Sequence, residues 1–521
     1  MKTVTSAQMR ELDARMIKEF EVPGEVLMER AGAGVADFVQ CLSRMSGYVK
    51  PCILLLAGRG NNGGDAFVAA RCLKEHGMEV EVWLAGVSDE ITGDALRHLG
   101  KMRSAGIVLN ELPTIEDWEL APVACHGVDI IVDGVLGTGI SGPARGPAVG
   151  AINYINTLSE RSVVVSIDVP SGLDADTGRP SGSAVKADIT VTMGLPKVGL
   201  LEPSAADYVG TLEVIDLGMP DELISPITSD RELINAEDLR KIIKRRSRDA
   251  HKGNFGHLLI IGGALGYSGA AALAAEAALR SGAGLVSLLV PESIAPIVAG
   301  IVPEAMVHGG SETKEGTLSI GCFSKLKKDL SSFSAVLAGP GMTVHKQTRA
   351  VVDRILRKSR CPVVLDADAL NVYAKEADIF RSSPCSVIIT PHPGEMGRLM
   401  DCSADQVQSD RFGAATRAAE KTGSVVILKG AGTIVAANGR PLSVNMTGNP
   451  GMASGGMGDV LSGFLAGLVA QGVDPFDAAR VAVYLHGRAG DNVALRSSQS
   501  GVTAGDVAEE LPGVIRELTA R

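Results

Sequence analysis

Aromatic side chains make up only 3% of this 521-residue chain, and tryptophan occurs twice. With 45% hydrophobic residues and 62 glycines, that scarcity fits an Ala/Val/Gly-rich α/β enzyme and excludes a disordered or fibrous chain. An excess of positive charge is also missing. The net charge of −10 argues against general affinity for nucleic acid while leaving room for a local basic patch. No apolar run reaches the ~18 residues that a bilayer span requires, so no membrane partner is expected. The N-terminus, Met1 to Gln8, has no hydrophobic signal core and leads into an amphipathic helix. Cysteines stand at 41, 52, 72, 125, 322, 361, 385 and 402, with no Cys-x-x-Cys pair and no histidine cluster at ligand spacing. They read as reduced core residues of a cytoplasmic protein, and zinc is not expected.

What is present divides into two α/β halves, as a prior of ~150 residues per domain allows. The first has short apolar runs suited to buried parallel strands at Ile53–Leu56, Val80–Leu84, Ile130–Val132, Val163–Ile167 and Ile189–Thr192. Helical periodicity covers Gln8–Phe20 and Ala66–Glu75. The polar, Pro-punctuated stretch Met219 to Pro226 reads as a linker, which predicts domains at 1–222 and 223–521. A basic run from Arg240 to Arg248 contains Lys241, Lys244, Arg245 and Arg246. It reads as a solvated helix face or a lid over a phosphorylated ligand. The second half predicts strands at His257–Ile261, Leu285–Val290, Ala335–Ala338, Val363–Asp366, Val387–Thr390 and Val425–Leu428, with a small-residue helix from Ser268 to Arg280.

The most informative stretch runs from Asn449 to Asp459, with Gly451, Gly455, Gly456 and Gly458, and an apolar periodic run follows it at once. It predicts an anion held at a helix N-terminus, where free N–H groups and the macrodipole favour negative charge. Asp459 stands beside that anion. The helix dipole is expected to keep it ionised, able to take a proton from a hydroxyl that receives a phosphoryl group.

In the first half, Gly58 to Asp65 falls between a strand and a helix, and lacks dinucleotide-fingerprint spacing. Asp133 to Gly139 and Asp168 to Asp174 also end strands. Together these loops point to one crevice. Asn61–Asp65, Asp133–Gly139 and Asp168–Gly178 resemble the NAD(P)H-hydrate epimerase domain of the YjeF N-terminal type, over roughly residues 1–220. The resemblance implies a Rossmann-like parallel αβα sandwich that binds hydrated nicotinamide nucleotide and K⁺. Asn62, Asp133 and Ser171 would supply oxygen ligands to the ion, as a hard cation prefers. Substrate contacts would come from Asn61, Asn62, Gly63, Gly64, Asp65, Gly137, Thr138, Gly139, Ile140, Ser141, Gly142, Pro143 and Asp168. Asp168 is the candidate acid/base for epimerisation. One departure is Ala66, where glycine is common in the family.

Further polar loops follow strands in the second half: Asp366 to Asn371, Thr390 to Arg398, and Lys429 to Thr433. Together with Lys252–His257 and Gly339–Met342 they resemble the NAD(P)H-hydrate dehydratase domain, a ribokinase-like αβα fold, over about 235–517. That family uses a nucleoside phosphate, generally ADP in bacteria and ATP in eukaryotes, to drive water from the S epimer and restore NAD(P)H. The resemblance implies that Asp459 acts as base, with Gly341 and the run His392, Pro393, Gly394, Glu395, Met396, Gly397 and Arg398 holding substrate. Lys429, Gly430, Ala431, Gly432 and Thr433, with Asn449, Gly455, Gly456, Met457 and Gly458, would hold ADP, and Mg²⁺ would bridge its phosphates. The implied substrates are NADHX and NADPHX, and the family tends to form homo-oligomers. Two alternatives stay open at this point: a small-molecule kinase with an N-terminal binding domain, and a non-catalytic nucleotide-binding protein.

Overall fold

The computed structural model describes every residue except 122–126, 140, 141, 244, 245, 327 and 521. Ile140 and Ser141, expected to touch substrate, therefore lie outside the described residues, as do Cys125, Lys244 and Arg245. The chain forms two compact units, Met1–Leu233 and Ile234–Arg521.

The first unit carries a seven-stranded parallel sheet. From edge to edge its order is Leu109–Glu111, Glu79–Leu84, Cys52–Ala57, Val128–Gly134, Val163–Ile167, Ile189–Met193 and Thr211–Ile215. The central runs are apolar without alternation because both faces are covered. Ile53 to Ala57 and Ile130 to Val132 are all fully buried. Burial of each Leu, Ile or Val contributes ~1.5–3 kcal/mol before entropy is counted. The sheet order reverses between Cys52–Ala57 and Val128–Gly134, the place where a crevice opens in such sheets.

The boundary falls later than the 222/223 break read from composition. Residues 223–233 stay with the first unit because its N-terminal residues bind them. The Met1 amine donates to Leu233 O at 2.9 Å, and Lys2 Nζ donates to Ser225 O and Ile227 O at 2.7 Å. Polarity marked this stretch as a linker, but its carbonyls are acceptors for distant donors.

The sheet of the second unit runs Met306–Gly310, Leu285–Pro291, His257–Ile261, Ala335–Ala338, Val363–Leu365, Val387–Ile389, Val425–Leu428, Thr433–Ala436 and Leu442–Asn445. It is parallel as far as Val425–Leu428; Thr433–Ala436 then pairs antiparallel with that strand, and Leu442–Asn445 antiparallel with Thr433–Ala436. Helix Met457–Ala470 is buried on nearly every side and lies against helix Ser268–Arg280. Small residues set that spacing, since a Cβ on Gly463 would stand 2.1 Å from Ala274 O. Among its described residues the basic run holds only the end of a short helix. Arg240 ends the short helix Ala236–Arg240 and donates to Leu518 O, while Arg246 lies 3.8 Å over the Phe255 ring. Cys322 and Cys361 are buried as expected, but Cys41 and Cys402 are exposed, so the reading of every cysteine as a core residue is corrected.

Candidate active sites

Four strand ends of the first unit open onto one cavity of about 540 Å³, lined among others by Asn61, Asn62, Asp65, Gly137, Thr138, Gly139, Asp168 and Lys197. Helix Asn61–Glu75 begins at its wall. Asp168 follows strand Val163–Ile167 with φ +66°, a conformation that costs ~1–3 kcal/mol in a non-glycine residue and concentrates at functional sites. Its carboxylate accepts from Lys197 Nζ and from Thr192 Oγ1 at 3.3 Å. Lys197 is 1% exposed, and its other ammonium bonds run to Thr192 Oγ1 (3.1 Å) and Met193 O (3.0 Å). Burial, reinforced by Asp168 and Asp13, pushes Asp65 well above the usual carboxylate range. Burial likewise pushes Asp13 up to about 6 against the pull of Lys197. Two carboxyl groups with raised pKa thus share a cavity with an ion-paired one, an arrangement suited to proton exchange.

Asp133 lies behind this wall, fully buried, with four donors on its two oxygens. They are Ser171 Oγ (2.5 Å), Val135 N (3.2 Å), Ser166 Oγ (2.8 Å) and Ser171 N (2.9 Å). Burial raises its pKa and these bonds oppose the shift. Asn62 Nδ2 donates to Leu136 O at 2.9 Å, and Ser171 Oγ stands 3.2 Å from the same carbonyl while accepting from Leu136 N. One hydroxyl proton therefore faces two oxygen acceptors. Such a crowd of oxygens fits a hard cation.

The expected substrate residues divide by environment. Gly63 and Gly64 serve packing, since a Cβ on Gly63 would meet Gly58 O at 1.9 Å and one on Gly64 would meet Met28 Sδ at 2.5 Å. Gly142 and Pro143 stand outside the cavity lining. Sequence reading overlooked Lys197 and Asp13. Lys197 sits in a further strand-end loop, after Ile189–Met193. Asp13 shares the i, i+4 face of helix Ser6–Glu19 with Met9 and Ile17, and all three line the cavity.

In the second unit, strand ends and a helix start converge on a charged cluster. Lys429 Nζ donates to Asp366 Oδ1 at 2.8 Å and stands 3.8 Å from Glu395 Oε2, and Thr390 Oγ1 also donates to Asp366. Burial disfavours the Lys429 ammonium, but Asp366 and Glu395 outweigh it and hold the pKa above the ordinary lysine range. A Cβ on Gly458 would lie 3.3 Å from Lys429 Nζ and 3.9 Å from Asp366 Oδ2, so the cluster touches the first turn of helix Met457–Ala470. Gly456, at φ +91°, is the N-cap of that helix, and Asp459 is its third residue. The expectation that the dipole keeps Asp459 firmly ionised is corrected. Burial, with Asp366, Asp368 and Glu395 adding to it, pushes Asp459 up to about 7 although Lys429 opposes the shift.

His392 is the N-cap of helix Pro393–Met400, its Nδ1 accepting from Gly394 N at 3.0 Å while Glu395 Oε2 accepts from His392 N at 2.9 Å. Met396 is fully buried in the core, and a Cβ on Gly397 would meet Cys402 O at 2.6 Å. Arg398 is exposed and donates to Asn371 Oδ1 at 2.9 Å. Gly341, at φ +65°, packs against Tyr267. Asn449 shapes its own loop, accepting from Gly451 N and donating to Asp491 Oδ1 at 2.9 Å. Thr433 opens the strand Thr433–Ala436 and donates to Gly430 O.

A family profile described as NAD(P)H-hydrate dehydratase matches residues 258–513, and one described as YjeF-related protein N-terminus matches 24–199. The bifunctional NAD(P)H-hydrate repair enzyme Nnr of Moorella thermoacetica is 40% identical over 519 residues, which is 99% of this chain and 97% of its own. Its namesake in Coxiella burnetii is 37% identical over 500 residues, 96% of each chain. Among solved structures, an ADP/ATP-dependent NAD(P)H-hydrate dehydratase from Bacillus subtilis, co-crystallised with ATP and Mg²⁺, is similar at 30% identity. It covers 55% of this chain and 98% of its own, with a TM-score of 0.49. With relatives matched end to end and both profiles present, the chain belongs to the family of bifunctional NAD(P)H-hydrate repair enzymes.

Proposed function

We propose that the first unit interconverts the R and S hydrates of NADH and NADPH and that the second dehydrates the S epimer at the expense of ADP. Asp168, held by Lys197, is the acid/base of the first reaction. The cavity that surrounds it, with Asp65 and Asp13, provides for both delivery and removal of a proton. K⁺ would be held by Asn62, Asp133 and Ser171 and would supply a fixed positive charge beside the substrate.

The placement of Asp459 among Lys429, Asp366 and the glycine-started helix carries the second assignment. Asp459 removes the proton of the ring hydroxyl as its oxygen bonds to the β-phosphorus of ADP. The bridging P–O bond breaks and AMP leaves. The ring C–O bond then breaks with loss of a ring proton, and inorganic phosphate departs with the oxygen. Hydroxide is a poor leaving group and phosphate a good one, so the nucleotide is consumed. Helix N–H groups and Lys429 stabilise charge developing on the transferred group. Mg²⁺, near Asp366 and Glu395, would neutralise charge on the nucleotide. The assignment is tested by incubating the full chain with S hydrate, Mg²⁺ and ADP. Equal yields of reduced nicotinamide, AMP and phosphate are expected, whereas a stable phosphorylated hydrate would identify a kinase instead.

A further inference from the structure

Arg411 begins the helix Arg411–Thr422 and is only 4% exposed. An isolated buried charge is costly, and a buried guanidinium ordinarily faces a carboxylate. No carboxylate among the described residues pairs with Arg411. Its neighbour Asp410 instead accepts from Gly413 N at 2.9 Å and from Arg417 Nη1 at 3.0 Å. The guanidinium reaches backbone oxygens: Nη2 donates to Leu428 O (3.2 Å), Lys429 O (3.3 Å) and Gly432 O (3.3 Å), and Nη1 donates to Gln408 Oε1 (2.7 Å). Its Nε, also buried, has no partner. Burial lowers the pKa to about 10, which leaves the side chain cationic at neutral pH.

The loop above Arg411 is therefore polarised. The carbonyls of Lys429 and Gly432 accept from the guanidinium, while no described residue accepts the N–H of Gly430, Ala431 or Gly432, and Gly430 and Ala431 are exposed. Gly430 has φ +136°, and a Cβ there would lie 3.0 Å from Arg411 Nη1, so glycine lets the loop close over the guanidinium. Free amides over an unneutralised cation are complementary to a polyanion. Lys429 differs, because Asp366 and Glu395 already face its charge.

We propose that Arg411 is a positioning residue for the nucleotide: it fixes the Lys429–Gly432 loop with the amides of Gly430, Ala431 and Gly432 free for a ligand and holds a buried positive charge that the bound phosphates neutralise. This inference rests on the reading of that loop as a nucleotide site. If the charge matters, the loss on removing it grows with the number of phosphates, whereas a merely misshapen loop weakens every nucleoside ligand alike.

Calorimetric titration of the full chain with adenosine, AMP and ADP separates these cases, using the natural protein, Arg411→Gln and Arg411→Lys. Gln keeps N–H donors for the carbonyls without charge. It is expected to weaken ADP by about tenfold or more, AMP by less, and adenosine by less than about twofold. Lys keeps the charge, so its loss for ADP is smaller than that of Gln. The KM for ADP rises while the KM for the hydrate holds. Equal losses across the three ligands, equal losses for Gln and Lys, or no loss with an unchanged Tm would overturn the inference. Failure of the natural chain to bind AMP or ADP would instead overturn the nucleotide reading itself.

Discussion

Burial and its acidic neighbours Asp366, Asp368 and Glu395 push Asp459 up to about 7 against Lys429, a value that suits the base proposed for the second reaction. A general base acts in its deprotonated form, so the sign is fixed. The kcat/KM of nucleotide-dependent dehydration should fall about tenfold per pH unit below that value and level off above it. A profile flat from pH 5 to about 8 would remove Asp459 from that role. Asp459→Asn should lower the rate ~10²–10⁴-fold while leaving ADP binding in place. In the first unit, Ser171→Ala would strip one donor from Asp133 and leave Leu136 N without its acceptor, costing ~1–3 kcal/mol in denaturant unfolding. Asp459 stands out in the sequence because it joins a glycine-rich stretch to an apolar run, and Asp168 because it follows an apolar run at once. Arg411, Lys197 and Asp13 do not, since their meaning lies in partners far along the chain. Lys197 reaches Asp168 across 29 residues, and no local pattern announces that bond.

Among elements, helix Met457–Ala470 couples the fold to the second site, and glycines decide how closely it packs. A Cβ on Gly463 would lie 2.1 Å from Ala274 O, and one on Gly467 would lie 2.1 Å from Ser281 Oγ. Gly463→Val is therefore expected to force the helices apart, costing ~1–3 kcal/mol or more and lowering Tm. A Tm equal to that of the natural chain would show that the contact relaxes freely. The predicted parallel strands and the helix after Asp459 match the structure closely, because continuous apolar runs and 3.6-residue periodicity are local signals. Strands Thr433–Ala436 and Leu442–Asn445 escaped notice. Each is short, and the first begins at Thr433, the last residue of the expected nucleotide loop. His392, expected as a substrate contact, also caps helix Pro393–Met400 through its Nδ1.

The whole molecule joins two sites whose residues all fall within separate units, Met1–Leu233 and Ile234–Arg521. Their reactions are consecutive, since the epimerase converts the R hydrate that the dehydratase does not use into the S form that it does. Separate construction predicts separable loss: Asp168→Asn should spare ADP-dependent dehydration of S hydrate, and Asp459→Asn should spare epimerisation. Loss of both activities in either variant would show that the sites do not act independently. The most direct measurement follows the near-ultraviolet absorbance of reduced nicotinamide in a mixture of R and S hydrates, supplied to the full chain with Mg²⁺, K⁺ and ADP. The account predicts complete, nucleotide-dependent recovery in the natural chain. With Asp168→Asn, recovery should be rapid up to the S fraction and slow thereafter. Complete recovery without any nucleotide, or none at all from a chain that binds ADP, would contradict it.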